Sequence, residues 1–429
     1  NEWPNCGEAY ILFSSNGAFV ADATGDTMLN GAGLNPSDYT SNWPEGLHLS
    51  QACLILPKPD SPGIYYLFHG TIDDQVAYTA QHLYLTTIDM SLAGGLGAVV
   101  TKNQSLINDT LNVGKITAVG HANGRDWWVF CHKVNTNMFH RLLVTPYGMS
   151  VDGSQSIGIV RPPDNGQVCF SPDGSKFAYY FGQDELEIFD FDRCTGTFSN
   201  PVFIVVPDLN PGSGVAFSPN SRCLYVSSVE DVYQYDTEAA DIAASMVLIA
   251  HWDGFYSPSP PFATVFDIAQ LAPDGKMYIG TGNSTFHLHV INEPDVVGLA
   301  CNMVQHGLEL PYYFFNSLPN HPNYHLGPVD GSVCDSLGIN TGLPNEQQLI
   351  VLQAFPNPSD GRFTLSYPVR NEAGSLEVRD MGGQIVFRER IPPWSQVHAV
   401  DLHGFAAGLY SCRMNWGTRT ATTRVVLTE

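Results

Sequence analysis

The densest group of side chains able to do chemistry is HANGRDWW, residues 121–128. It carries His121, Asn123, Arg125, Asp126, Trp127 and Trp128. On an exposed loop, His121, Arg125 and Asp126 would offer polar contacts beside the indole faces of Trp127 and Trp128. That combination suits a sugar. The competing reading is structural: an Asn-Gly turn, an Arg125–Asp126 pair that locks neighbouring strands, and indoles packed between sheets. His287 and His289 stand two apart on a strand-like stretch and so face one side. They could hold a metal, but no third ligand is identifiable. Asp184, Glu185, Glu187, Asp190 and Asp192 concentrate the oxygen ligands that calcium takes, without a D-x-D-x-D-G loop. A solvated acidic face is the plainer account, so a structural Ca2+ is left open and no other cofactor is indicated. The chain has no G-x-S-x-G, H-E-x-x-H or P-loop pattern. No catalytic residue is assigned, although carboxylates gathered from separate strands would leave no such signature.

The elements that must position these groups are strands. Gly (40), Pro (29) and 11% aromatics, with almost no long charged helical pattern, make an all-β composition. No apolar run approaches the roughly 20 residues that span a bilayer as a helix. The chain opens on Asn1 without a signal-peptide pattern, as expected of a processed chain. The net charge of −23 argues against a nucleic-acid partner, which would need basic surface. The charge is unevenly spread: residues 349–429 hold eight Arg, no Lys and seven acids, a net of +1, which leaves −24 on residues 1–348. Such a change of composition marks a domain boundary. The nine cysteines are Cys6, Cys53, Cys131, Cys169, Cys194, Cys223, Cys301, Cys334 and Cys412, with no C-x-x-C pair. Export would favour disulfides, whose pairing the spacing does not determine; buried thiols are the alternative.

A repeated turn organises the long N-terminal part. FSPDGSKFAYY begins at Phe170, FSPNSRCLYVSS at Phe217 and LAPDGKMYIGTG at Leu271. In each, Pro pre-sets the second turn position and a polar residue tolerates the third. Each is followed by a second strand: LEIFDFD (186–192), VYQYD (232–236) and FHLHVI (286–291). Spacings of 47 and 54 residues (217−170 and 271−217) suit the four-stranded blade of a β-propeller. Residues 1–330 then allow seven blades, with six as the alternative. Residues 308–328 read as a strand that closes the ring, followed by an irregular tail across it. Residues 331–348 read as a polar linker, and residues 349–429 as a small Ig-like β-sandwich of six or seven strands.

Four stretches of that sandwich carry a resemblance: FPNPSDGRFTL (355–365), LEVRDMGGQIV (376–386), VDLHGFAAGLYSCRM (400–414) and TTRVVLTE (422–429). With Pro356, Asn357, Pro358, Asp380, Gly383, Gly408 and Tyr410 as landmarks, they resemble the C-terminal sorting domain of the Bacteroidetes type IX secretion system. Arg424 stands where a Lys is common. The resemblance implies export, with the translocon and its outer-membrane shuttle proteins as partners through residues 349–429. It also implies an extracellular or outer-membrane-surface location, and a cut expected within residues 338–352. DTMLNGAGLNP (26–36), ITAVGHANGRDWW (116–128) and LPNHPNYHLGP (318–328) are similar to propeller regions of surface proteins from the same bacteria. No activity follows from that. Thr27, Thr110 and Ser336 sit in Asp-Ser/Thr-apolar triplets that resemble those bacteria's O-glycan acceptors. The expectation is a non-enzymatic binding or surface-structural protein with a glycan or surface-protein ligand. The alternatives are an extracellular hydrolase or lyase acting on polysaccharide or peptide, and a subunit of an outer-membrane assembly.

Overall fold

The computed structural model describes residues 11–164, 166–181, 185–207, 214–258, 261–314, 318–335 and 351–428. Cys6, Asp184, Ser336 and most of the expected linker lie outside them. The chain forms a large unit, Ile11–Gln270 with Met277–Leu337, and a smaller one that contains the C-terminal sheets.

The large unit is a propeller. It opens with β1 (Phe13–Ser15), β2 (Phe19–Asp22), β3 (Thr27–Ala32) and the short helix α1 (Asp38–Asn42). The first four-stranded meander is β4 (Cys53–Pro57), β5 (Ile64–His69), β6 (Thr79–Asp89) and β7 (Ala98–Asn112). The second is β8 (Thr117–Gly120), β9 (Trp127–His132), β10 (Thr136–Thr145) and β11 (Gly148–Arg161). The third is β12 (Gln167–Phe170), β13 (Lys176–Phe181), β14 (Glu185–Asp192) and β15 (Thr197–Val205). The fourth is β16 (Gly214–Phe217), β17 (Cys223–Ser227), β18 (Asp231–Asp236) and β19 (Val247–His251). The fifth is β20 (Phe266–Leu271), β21 (Met277–Thr281), β22 (Thr285–Ile291) and β23 (Met303–Phe314). Strands β1–β3 form an antiparallel set joined to β7 by the parallel pairing of Leu29 with Ala98.

The described strands of the large unit therefore fall into one seven-stranded sheet, β1–β3 with the first meander, and four four-stranded sheets. Strands β7 and β11 run 15 and 14 residues, and the first strands of successive meanders start 47 to 64 residues apart (214−167 and 117−53). The stretch expected to close the ring is instead β23, the fourth strand of the fifth meander, paired antiparallel to β22.

The repeated turn works as its residue types require. Asp173 Oδ1 accepts from Ser171 Oγ at 2.6 Å and from the Ser175 amide at 3.0 Å, and Gly174 takes φ +73°. In the second copy Asn220 accepts from Ser218 Oγ at 2.7 Å, and Ser221 takes the positive φ. Apolar side chains then fill the spaces between neighbouring sheets. Leu54, Phe68 and Leu83 meet Ala118, Val129 and Leu142. Further round, Tyr225 and Val232 meet Phe266 and Ile279. Between the second and third meanders the filling is aromatic: Phe198 lies 4.8 Å from Phe130 and 5.0 Å from both Phe139 and Phe177, centroid to centroid.

Beyond β23, residues 318–335 run beside the first strands of three meanders. Asn320 Nδ2 donates to the carbonyls of Cys53 and Ile116 at 2.9 and 2.8 Å, and Asn323 Nδ2 to that of Pro172 at 2.7 Å. Arg193 donates to the Gly327 carbonyl at 2.5 Å, and Cys334 is joined to Cys194 by a disulfide.

The small unit is a sandwich. One sheet has the order β24 (Gln353–Phe355), β25 (Arg362–Ser366), β28 (Val397–Asp401). The other has the order β27 (Ile385–Ile391), β26 (Gly374–Arg379), β29 (Gly408–Trp416), β30 (Arg419–Leu427). Phe363, Leu365, Leu376, Val378, Cys412, Met414 and Trp416 share its core. Tyr410, two residues before Cys412, donates its hydroxyl to the Ala406 carbonyl at 2.8 Å, the tyrosine corner of Ig-like sandwiches.

Candidate functional site

A cleft of roughly 940 Å³ opens on the large unit, lined by the β1–β2 turn, the loop after α1, the approach to β4, and residues 318–324. Each wall is held by backbone chemistry. Asn16 accepts the Ala18 amide at 3.0 Å, which shapes the turn, and its Nδ2 donates to the Glu45 carbonyl at 2.6 Å. Gly17 takes φ +86°, which a side chain would strain, and a Cβ there would also displace Leu47 Cδ1, 2.7 Å away. Ser37 caps α1 by accepting the Thr40 amide at 3.0 Å, and Trp43 follows the helix directly. The wall formed by residues 318–324 is fixed through Asn320 and by Tyr324, whose hydroxyl donates to the Ile55 carbonyl at 2.8 Å.

Two aromatic side chains stand half open here, Trp43 at 44% and Tyr324 at 40% exposure. The Trp43 ring lies 4.4 Å from that of His48. Burial lowers the pKa of His321, so this imidazole is neutral at pH 7, and burial pushes the Cys53 thiol up to about 12. Glu45 is the one carboxylate among the lining residues. The arrangement offers aromatic faces, amides and a neutral imidazole. It suits stacking and hydrogen bonding to a neutral polar ligand better than proton transfer between paired acids.

The HANGRDWW stretch is built inward. Asn123 Oδ1 accepts the amides of Arg125 and Asp126 at 3.0 and 2.9 Å, and Arg125 chelates Asp126 at 2.7 and 3.1 Å. Trp127 and Trp128 are 6% and 4% exposed. Trp127 packs in the core between the first two meanders and edge-on to Tyr324. Trp128 donates to the Arg193 carbonyl at 2.8 Å, with His121 5.2 Å from its ring. The indoles serve the inter-sheet contact rather than an open platform, because strand β9 is buried along its whole length.

The histidine pair on β22 does not gather a metal set. His289 Nδ1 accepts the His306 amide at 3.0 Å, His287 lies edge-on to Phe255, and His306 pairs with Asp253 at 2.9 Å. Among the described residues, no three His, Cys, Asp or Glu side chains converge to hold a metal. The acidic stretch is likewise dispersed. Glu187 pairs with Arg161, Asp190 with Lys176 at 3.2 Å, and Asp192 accepts the Cys194 amide at 2.8 Å. The unbroken alternation of β14 against β13 puts Glu185 and Glu187 on one face and Asp190 and Asp192 on the other, so the four carboxylates do not converge. Thr27 is exposed at the start of β3, and Thr110 is half-buried within β7.

Sequence reasoning missed the cleft because its two half-exposed aromatic residues, Trp43 and Tyr324, are far apart in the chain. The available signal was the Asn16–Gly17 turn together with the Asn- and His-rich stretch 318–328. It also missed a buried charge network. Lys115 pairs with Asp164, Tyr179 donates to Asp164 at 3.2 Å, and the Arg161 guanidinium lies 3.8 Å over the Tyr179 ring.

The sandwich landmarks are turn and edge residues. Asn357 Nδ2 donates to the Arg424 carbonyl at 2.8 Å, and its Oδ1 accepts the Val426 amide at 2.9 Å. Pro356 and Pro358, on either side of Asn357, are each preceded by a cis peptide bond. Asp380 Oδ1 accepts the Gln384 amide at 2.9 Å, with Gly383 at φ +81° completing the turn. Gly408 opens β29.

Comparison with known proteins agrees on the small unit. Residues 353–428 match the family described as the secretion system C-terminal sorting domain. They carry a type IX sorting signal, which directs export to the cell surface or medium and contact with the type IX machinery. No curated protein matches the chain. Among solved structures, a Lactobacillus plantarum protein is 10% identical over 89% of this chain and 94% of its own, with a TM-score of 0.41. A putative 6-phosphogluconolactonase from Bacteroides uniformis is 12% identical over 61% and 86%, with a TM-score of 0.37. One from Bacteroides fragilis is 11% identical over 71% and 94%, with a TM-score of 0.39.

Proposed function

We propose that the exported propeller is a cell-surface binding module that takes a neutral glycan in the cleft lined by Trp43 and Tyr324. The observation that carries this reading is the presence of two half-exposed aromatic rings among the residues that line one cleft of roughly 940 Å³, a volume within the usual range for ligand sites. A sugar's C–H faces stack on such rings, and its hydroxyls find partners among the lining amides and imidazoles. A glycosidase would need a second carboxylate about 5–10 Å from the first. Glu45 has no carboxylate companion among the lining residues, which supports binding over hydrolysis.

The test is calorimetry of the full chain against a panel of neutral oligosaccharides, repeated with Trp43→Ala. Saturable binding that weakens about tenfold or more in the variant is expected, the loss of one stacking partner being worth on the order of 1.4 kcal/mol. Absence of binding across the panel, or binding indifferent to Trp43, would overturn the reading. Cleavage products accumulating during the titration would replace it with an enzymatic one.

A further inference from the structure

The sheet β27-β26-β29-β30 turns one face to the core of the sandwich and the other to solvent. Directly paired residues share a face, so the register identifies the outward set. Glu377 stands opposite both Arg388 and Arg413, Arg379 opposite Ser411, Ser411 opposite Arg424, and Arg390 opposite Ser375. The alternate positions Leu376, Val378, Cys412, Met414 and Val425 are all buried. Five of the eight arginines in residues 349–429 therefore share one face with a single carboxylate. Glu377 bonds to Arg379 at 2.7 Å and to Arg388, which holds its pKa down and keeps it ionised. The face carries four net positive charges (five Arg, one Glu) in a chain whose total is −23.

A basic patch on a soluble protein is most often no more than solvated surface. Two features argue for more. The basic residues here are arginine without a single lysine. Solubility alone would be served by either, whereas the planar fork of arginine matches carboxylate geometry. The rest of the chain is strongly acidic, so the sign reversal is confined to the domain that meets the export machinery. We propose that this outward face docks on a carboxylate-rich protein surface of that machinery. An anionic lipid surface is the poorer fit. Membrane-binding faces combine basic residues with aromatic anchors. No aromatic residue stands among the outward positions here, which between the arginines are Ser375, Ser411, Asn415, Thr420 and Thr422 with the aliphatic Ile385, Leu409 and Val426, and the acidic remainder of the chain would be repelled.

The experiment follows export of the full chain in a cell that secretes it, comparing wild type with Arg413→Gln/Arg424→Gln. This double variant leaves the Arg379–Glu377–Arg388 bonds in place. Arg362→Gln/Arg419→Gln removes the same charge outside this outward set and serves as the control. Periplasmic retention of the face variant is expected to rise about tenfold, with the control near wild type, since removing charges from a docking face slows and weakens association. The two single variants, each a change at one exposed residue, guard against misfolding and should each retain an intermediate amount. Wild-type export of the face variant would overturn the proposal, as would equal retention of the control. Co-sedimentation of the purified full chain with phosphatidylglycerol vesicles, lost in the face variant, would also overturn it, in favour of a lipid partner.

Discussion

Cys194 and Cys334 are joined by a disulfide across 140 residues of sequence. The bond fastens the end of the 318–335 segment to the turn between β14 and β15. Asn320, His321 and Tyr324, one wall of the cleft, lie on that segment. Cys194→Ser/Cys334→Ser should lower stability in urea by about 2–4 kcal/mol. Hydrogen exchange should quicken across residues 318–329 first. Unchanged protection there would mean that the side-chain bonds of Asn320, Asn323 and Tyr324 hold the segment unaided.

Acid should unfold the large unit at a mild pH. Burial drives the pKa of His69, His132 and His289 down to about 3. Unfolded histidine binds its proton near pH 6.5, so below that pH the unfolded state takes up protons that the native state refuses. The stabilisation from keeping them neutral is complete above pH 6.5 and is lost as pH falls towards 3. At pH 5 the three together should cost on the order of 6 kcal/mol, comparable to the stability of a whole domain. Asp267, raised to about 6 by burial, acts in the opposite sense and gains as pH falls from 6 to 4. One such group offsets one histidine at most. Urea midpoints between pH 4 and 8 check this, and a flat profile from 7 down to 5 would contradict it.

Lys115 and Asp164 are each 1% exposed, and removing either leaves the other charge buried without its partner. Lys115→Met is expected to destabilise the large unit by about 3–5 kcal/mol. Lys115→Met/Asp164→Leu should recover part of that loss, since a matched apolar pair leaves no orphaned charge. A double variant worse than the single one would mean that Asp164 is needed by Tyr179 more than by Lys115.

Asn357 makes two side-chain bonds to the backbone of β30, at Arg424 and Val426. Asn357→Ala should lower the stability of the sandwich by about 1–2 kcal/mol. Exchange of the Val426 amide should accelerate, while the amides of β29 stay protected. This local signature separates edge pairing from a general loss of packing.

Much of the architecture was legible because it rests on local chemistry. The Ser-Pro-Asp-Gly turns at 171–174 form as their residue types demand, and Asp380 and Gly383 make the turn their spacing implied. Blade number was not legible. It depends on how far outer strands such as β7 and β11 extend, which cross-strand pairing decides and no local pattern records. The same limit applies to HANGRDWW. Its composition suited a sugar platform, yet strand β9 lies between packed sheets, so Trp127 and Trp128 became core.

By itself, then, the sequence determined the all-β character, the turns, the charge reversal near residue 349 and the sorting landmarks, all of which are set by residue type over a few neighbours. Only the tertiary structure decided which distant residues meet. It brought Trp43 and Tyr324 to one cleft, joined Cys194 to Cys334, and buried Arg161 over Tyr179. Strand register, fixed by long-range pairing, also decided that five arginines share one face, because a one-residue slip would have turned them inward.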